Sequence, residues 1–499
     1  MTKVKDLNNL RKSSDTRVIA GLVLLAAAAS QLFAQAGPPA ATPPEAPATP
    51  ATPAPETGDP SFRGSVPQGT ASANAIPLSF ADAINRGLKA NLGLLTSQES
   101  SIESRAERLR SLSALLPNVS GQLAETVEQL NLQTIGISFP GVPKVVGPFS
   151  YQTAQANATV PIINWTSIEN FRGSRANQKA AALSIANARD LVVLAVGDAY
   201  LQIIADAARV TATQAEIDAD AAVYQNAVRR HDAGTAIGLD VLRSQVELKQ
   251  RQQQLVAANN QLEKDKLSLG RVIGLAVGQD FTVTDPSLSI PLEPPPLKEA
   301  LDSAYANRPD YQAAKARVLA AQLMLGGARG ERYPILEASG FYGDEGKHLI
   351  GDSHGVFTMQ GSITFNIFDG GRIRADIQQS EAELRNRRNE LENLRGQIDY
   401  DVRSALLDLK SAADQVDVAK SNVQLATESL RQSRDRYAAG VTNTVEVVQS
   451  QQAVADANEN LISAQFSYNL AKVSLARAMG IAEKTIPSYF SSENAPANK

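Results

Sequence analysis

The sequence predicts a mainly α-helical chain in which one helix–hairpin–helix unit occurs twice and carries a smaller β part. Three observations predict it. Residues 233–242 (Ala-Gly-Thr-Ala-Ile-Gly-Leu-Asp-Val-Leu) return as residues 439–448 (Ala-Gly-Val-Thr-Asn-Thr-Val-Glu-Val-Val), and Gly234 and Gly274 recur as Gly440 and Gly480, each 206 positions on. Residues 369–437 contain no proline and only three glycines, Gly370, Gly371 and Gly396; at ~1.5 Å per residue that run is ~100 Å of helix. Two other segments alternate apolar and polar residues with period two, the pattern of a strand with one greasy and one wet face.

Each copy reads in the same order. Residues 79–90 and 297–307 are short amphipathic helices. Residues 91–116 and 309–332 are second helices, stopped before Pro117 and Pro334, because a proline ring disfavours helical geometry in the residue before it. Strands follow. Phe357, Met359, Gly361, Ile363, Phe365 and Ile367 share one face, against Thr358, Gln360, Ser362, Thr364 and Asn366. In the first copy Ala154, Ala156, Ala158, Val160 and Ile162 oppose Thr153, Gln155, Asn157 and Thr159, and Leu336, Ala338, Gly340 and Tyr342 form one face after Pro334. Strands of roughly ten residues with this alternation suit a membrane barrel. A soluble hairpin with one buried face has the same local pattern. Pro117 and Val160 are 43 positions apart, Pro334 and Phe365 only 31, so the first hairpin has the longer, Pro/Gly-rich tip.

The rest of each copy is a long helical hairpin with heptad spacing. Val402, Leu409, Val416, Val423, Leu430 and Tyr437 run out; Val447, Val454, Leu461, Tyr468 and Leu475 return, beside a row of Ala457, Ala464, Ala471 and Ala478. Val241, Leu248, Leu255, Leu262 and Leu269 match in the first copy. The alanine row predicts close packing on a second side, as in a closed palisade, or else is ordinary exposed alanine.

The N-terminus reads as an export signal over 1–36: Lys3, Lys5, Arg11, Lys12 and Arg17, an apolar run over 18–29, and Ala34-Gln35-Ala36 as a cleavage site. A Pro/Ala-rich linker follows over 37–75. No other stretch reads as a membrane helix. The units span 76–282 and 283–482, with a tail over 483–499. A net charge of −4 without a basic stripe argues against nucleic acid, and the absence of cysteine excludes disulfides and a lipid on an N-terminal Cys. Asp344, Glu345, His348, Asp352 and His354 read as solvated loop residues rather than a metal site. No cofactor, phosphate or zinc motif appears, so the chain does not read as an enzyme. If the four strands lie in a membrane, their edges cannot face lipid unpaired. Four are too few for a barrel, which needs about eight, so a barrel must be shared between copies.

At this point the residues resemble the TolC family of outer-membrane efflux proteins. Carrying the resemblance are Asn307-Arg308-Pro309-Asp310-Tyr311, Asn366-Ile367-Phe368-Asp369-Gly370-Gly371-Arg372-Ile373, Arg436-Tyr437-Ala438-Ala439-Gly440 and Arg230-His231-Asp232-Ala233-Gly234. It covers residues 76–482. It implies a homotrimer in the outer membrane with one shared β-barrel and a helical tunnel crossing the periplasm, docked on a periplasmic adaptor and an inner-membrane pump. It places Gly234, Thr235, Gly440 and Val441 at the adaptor-docking tips. Asp240 and Glu446 match acids that ring the tunnel opening in the family, while Arg243 and Gln449 stand where some members carry a second acid. Tyr437 matches a tyrosine that locks the tip in some members, but Thr442 replaces its arginine partner. The other reading of Asp240 and Glu446 is as solvated acids favoured by a helix start. Two functions follow: a passive outer-membrane exit duct of an efflux or secretion system, or a periplasmic coiled-coil scaffold or adaptor without a barrel.

Overall fold

The computed structural model of the chain describes residues 60–136, 141, 143–285, 292–442 and 444–489. The expected export signal, residues 37–59 of the expected linker and residues 490–499 of the expected tail lie outside the described residues. From Pro60 the chain is packed: the Val66 amide donates to the Ala90 carbonyl at 2.9 Å and the Gln68 amide to the Gly274 carbonyl at 3.0 Å.

The elements recur in the expected order. The first set is β1 (Ile76–Leu78), α1 (Phe80–Ala90), α2 (Leu92–Ser113), β2 (Asn118–Asn131), β3 (Val145–Ile163), α3 (Trp165–Asp232) and α4 (Gly238–Ile273). The second is β4 (Phe281–Val283), α5 (Leu297–Asn307), α6 (Pro309–Gly330), β5 (Ile335–Gly346), β6 (Ser353–Thr364), α7 (Arg372–Ala438) and α8 (Thr444–Ala478), followed by α9 (Ala482–Tyr489). Local chemistry sets the ends. Ser79 and Asn164 accept amide hydrogen bonds at the starts of α1 and α3. Pro309 opens α6, where a missing N–H costs nothing. Asp369 accepts from the amides of Gly371 at 3.0 Å and Ile373 at 2.8 Å and so starts α7.

β1 and β4 pair in parallel and tie the two sets together, while β2, β3, β5 and β6 form one four-stranded antiparallel sheet in that order. Two strand extents differ from the alternation. β6 stops at Thr364, opposite Ile335, because the preceding Pro334 has no N–H with which to extend the ladder. β3 begins at Val145, earlier than the alternation predicts, because β2 carries its pairing past a bulge at Glu128/Leu130 despite Gly147 and Pro148.

The heptad rows are the seams. Val402, Leu409, Val416 and Tyr437 of α7 are buried, as are Val447, Tyr468 and Leu475 of α8 and the whole row Ala457, Ala464, Ala471 and Ala478. The main core gathers Phe80, Val192, Val196, Tyr200, Leu269, Ile273 and Val473, with Ile486 of α9 closing it. α3 passes through it, and this explains one departure: α3 is long and apolar enough to cross a membrane by composition, with an 18-residue window of mean hydropathy 1.7, yet half of that window is buried inside the protein.

Candidate functional site

The sheet sorts its side chains across all four strands. One face carries Val119, Ala158, Gly340 and Met359 in one register row and Gly121, Ala156, Tyr342 and Phe357 in the next; the other carries Asn118, Thr159, Ser339 and Gln360. Phe357 and Met359 are exposed, as are Val119 and Leu123. Among the described residues, no element covers the apolar face. The strands β2 and β6 are the free edges of the sheet.

The helices are open in the same way. Near the sheet they lie side by side as α2, α3, α6 and α7; farther away, as α4, α3, α8 and α7. Their free sides carry apolar rows. α7 exposes Tyr400, Leu407, Val418 and Leu425, with Leu407 69% accessible. α4 exposes Leu242, Val246, Val256 and Leu267, with Val256 70% accessible, and α2 exposes Ile102 and Leu109. Burying such residues is worth ~1.5–3 kcal/mol each. Leaving such rows wet on α2, on α4 and on the half of α7 that pairs with α8 identifies surfaces made to be covered.

The two helix tips have one backbone design. The Gly234 amide donates to the His231 carbonyl at 2.8 Å and the Thr235 amide to the Arg230 carbonyl at 2.8 Å; Gly440 and Val441 repeat this toward Tyr437 and Arg436 at 3.1 and 3.0 Å. Both glycines have φ near +73°, which side chains resist. Gly234, Thr235, Gly440 and Val441 are all exposed.

Between the tips lies a clasp. The Arg230 guanidinium sits over the Tyr437 ring, 4.5 Å from its centroid, and donates to the Tyr437 carbonyl at 3.2 Å. Tyr437 is only 8% accessible. The tyrosine is therefore held by an arginine of the other hairpin. Sequence reasoning missed Arg230 because it searched for the partner near Thr442; the signal was that Arg230 and Arg436 occupy matching places in the repeat. Glu446 is also engaged: Arg436 approaches its carboxylate at 3.4 Å and Thr442 donates a short hydrogen bond to it. Asp240, half-buried, makes no side-chain hydrogen bond or ion pair with a described residue, and Arg243 and Gln449 are exposed.

Two buried polar layers tie the first hairpin to α8. In one, Asp206 of α3, 2% accessible, takes hydrogen bonds from Gln202 and Arg209, while Arg209 also grips Glu459. Burial, reinforced by the nearby Asp265 carboxylate, pushes the Asp206 carboxyl up to about 6. Fourteen residues along α3, ~21 Å away, Gln451 donates to Asp220 at 2.7 Å, and Arg251 faces Asp220, Glu216 and Glu247. Burial pushes Asp220 up to about 6, against the pull of Arg251.

The segment Asn307–Tyr311 has a structural role. Arg308 binds Asp310 at 2.7 Å and Asp401 at 2.8 Å, and Arg477 lies 3.8 Å from Asp310 and donates to Asn187 at 2.6 Å, so the α5–α6 turn is clamped to α7 and, through Arg477, to α8 and α3. Gly480 packs its backbone on Arg308, where a Cβ would lie 2.6 Å from the Arg308 nitrogen. Among the described residues, no cluster of His, Asp and Glu suits a metal ion.

Residues 144–275 and 300–481 match the profile of the family described as outer membrane efflux protein. Among similar proteins, the pyoverdine export outer membrane protein OpmQ of Pseudomonas putida is 25% identical over 66% of this chain and 70% of its own length. The toluene efflux pump outer membrane protein TtgC of Pseudomonas putida is 22% identical over 58% of this chain and 60% of its own. The matched stretch thus spans 60 to 70% of these two relatives. In fold, the chain is similar to the outer membrane protein VceC of Vibrio cholerae, with a TM-score of 0.70, 16% identity, and coverage of 80% of this chain and 96% of that one. It is likewise similar to the CmeC outer membrane channel of Campylobacter jejuni, with a TM-score of 0.69, 16% identity, and coverage of 91% and 98%.

Proposed function

This chain belongs to the outer membrane efflux protein family, and from that premise we propose that it is the outer-membrane exit duct of a tripartite pump: a homotrimer that conducts cargo passively and catalyses no reaction. The observation that carries this is the matched openness of its layers. The sheet ends at β2 and β6, and the helical layers end at α2 or α4 on one side and at α7 on the other, with bare apolar rows at those ends. An edge of unpaired N–H and C=O groups is untenable in lipid. A second copy placed edge to edge pairs β6 with β2 and covers Leu407, Val418 and Leu425 with α4 of its neighbour. Three copies bring twelve strands at four per chain. The apolar sheet face then meets lipid, and the polar face lines the bore.

The helical layers form a periplasmic tunnel ~100 Å long, set by the 67 residues of α7. The tips at Gly234, Thr235, Gly440 and Val441 meet a periplasmic adaptor, which links the duct to an inner-membrane pump. Arg230 on Tyr437 holds the two hairpins of one copy together at the tunnel mouth, and Asp240 and Glu446 face the aperture. The relatives' cargoes, pyoverdine and toluene, are chemically so unlike that the duct role is assigned here without a cargo. The export signal over 1–36, the linker over 37–75 and the units over 76–282 and 283–482 belong to the same reading.

The test is fractionation with mass. The purified protein floats with outer-membrane vesicles and has the native mass of three chains. A soluble monomer after cell lysis excludes the duct and leaves the scaffold.

A further inference from the structure

The register of the sheet brings all four strand–helix junctions to one level, since Asn118 faces Thr159, Val160 faces Ala338 and Ile335 faces Thr364. At that level the surface is aromatic and basic. Trp165, Tyr333, Phe365 and Phe368 are all exposed, Phe368 at 90%. Trp165 and Tyr333 meet edge to face at 6.4 Å, yet the indole N–H and the phenol hydroxyl have no hydrogen-bond partner among the described residues.

The charges at the α6–β5 and β6–α7 corner do not balance. Arg372 spans Glu331 at 2.7 Å and Asp376 at 2.9 Å, and Arg329 takes Glu381 at 2.8 Å. Asp369 is committed to the first amides of α7. The carboxylates of Glu331, Asp369, Asp376 and Glu381 are therefore all engaged. Arg332 and Arg374 remain: both are exposed, and neither guanidinium has an ion pair or hydrogen bond with a described residue. The Arg372–Glu331 bridge keeps the segments that bear them side by side.

We propose that Arg332 and Arg374, flanked by Trp165, Tyr333 and Phe368, form a collar that binds the phosphate of anionic phospholipids in the periplasmic leaflet. A guanidinium fork matches a phosphate in geometry and charge. Aromatic rings with wet tips settle at the headgroup level, and Arg stems lie along apolar surface while the heads stay polar. The collar rests on the outer-membrane reading above and adds a lipid preference to it.

The test uses the whole purified protein in nanodiscs of phosphatidylcholine alone or mixed with phosphatidylglycerol, with retained lipids counted by native mass spectrometry. Arg332→Gln/Arg374→Gln removes the two free cations. Arg385→Gln/Arg388→Gln removes the same charge from exposed positions ~16 to ~21 Å below Arg374 on α7. Wild type and the lower pair are expected to retain phosphatidylglycerol in preference to phosphatidylcholine. The collar pair should bind it about thirtyfold more weakly, since each surface arginine contributes about fivefold. Equal retention by the collar pair and wild type overturns the proposal, as does a wild type with no preference. Failure to enter either bilayer overturns the outer-membrane reading together with the collar. Normal insertion without a lipid preference overturns the collar alone.

Discussion

Replacing Arg230 by alanine should open the tip. The substitution removes the cation over the Tyr437 ring and the hydrogen bond to the Tyr437 carbonyl, at 4.5 and 3.2 Å. At a partly buried site the first is worth ~0.5–1 kcal/mol and the second, from a charged donor, ~1.5 kcal/mol. Together that is ~2 kcal/mol per chain, or a ~30-fold shift toward separated hairpins. The contrast that gives the prediction force is Tyr437→Phe. It keeps both the ring and the backbone carbonyl, so it should behave as wild type. Tyr437→Leu loses the ring but keeps the carbonyl, so it should open the tip less than Arg230→Ala does. Single-channel recording in planar bilayers reads the result: Arg230→Ala raises conductance or open probability, and Tyr437→Phe does not. If Tyr437→Phe opens the channel as much as Arg230→Ala, the phenol hydroxyl holds the tip and the reasoning fails.

Other outcomes follow from the same contacts. Asp206 has a carboxyl raised to about 6 by burial and Asp265. It binds its proton more tightly folded than unfolded, so its contribution falls as pH rises from about 4 to about 6. The advantage of Asp206→Asn in thermal midpoint should grow across that window and then level off; an advantage independent of pH refutes the assignment. If Asp240 and Glu446 line the aperture as proposed, Asp240→Ala should weaken cation preference in bilayer reversal potentials more than Glu446→Ala, because Arg436 already offsets Glu446; the reverse order would show that Asp240 does not face the opening. Arg308→Ala leaves the half-buried Asp310 and Asp401 without their shared guanidinium, with Arg477 still near Asp310, and should cost ~1–3 kcal/mol, seen as a lower thermal midpoint and less assembled protein. An unchanged midpoint would mean that the Asn307–Tyr311 segment does something other than hold the helices.

Much of this architecture is legible from spacing alone. The recurrence of Gly234 at Gly440 locates both tips, and the heptad from Val402 to Tyr437 locates the α7 seam, because both patterns lie within one element. Strand polarity is legible for the same reason: Phe357, Met359 and Gly361 share a face whatever lies beyond. Contacts between distant segments are not. Arg230 lies about two hundred residues from Tyr437, and a helix-tip arginine reads as solvated until the hairpins are set side by side. The pairing of Asp206 with Asp265 is hidden likewise, since each is unremarkable on its own helix. The end of β6 depends on a proline in its neighbour, Pro334, rather than on anything in β6 itself. The membrane-like composition of α3 goes unread in the sequence, and composition alone cannot separate a core helix from a spanning one, because both hide from water for the same reason.

The most direct measurement is the conductance of the purified protein in a planar bilayer. A trimeric duct with a closed tip predicts long-lived, ion-conducting pores of small unitary conductance that enlarge in Arg230→Ala. Protein that folds, remains in the aqueous phase and never conducts, with or without Arg230, contradicts the account.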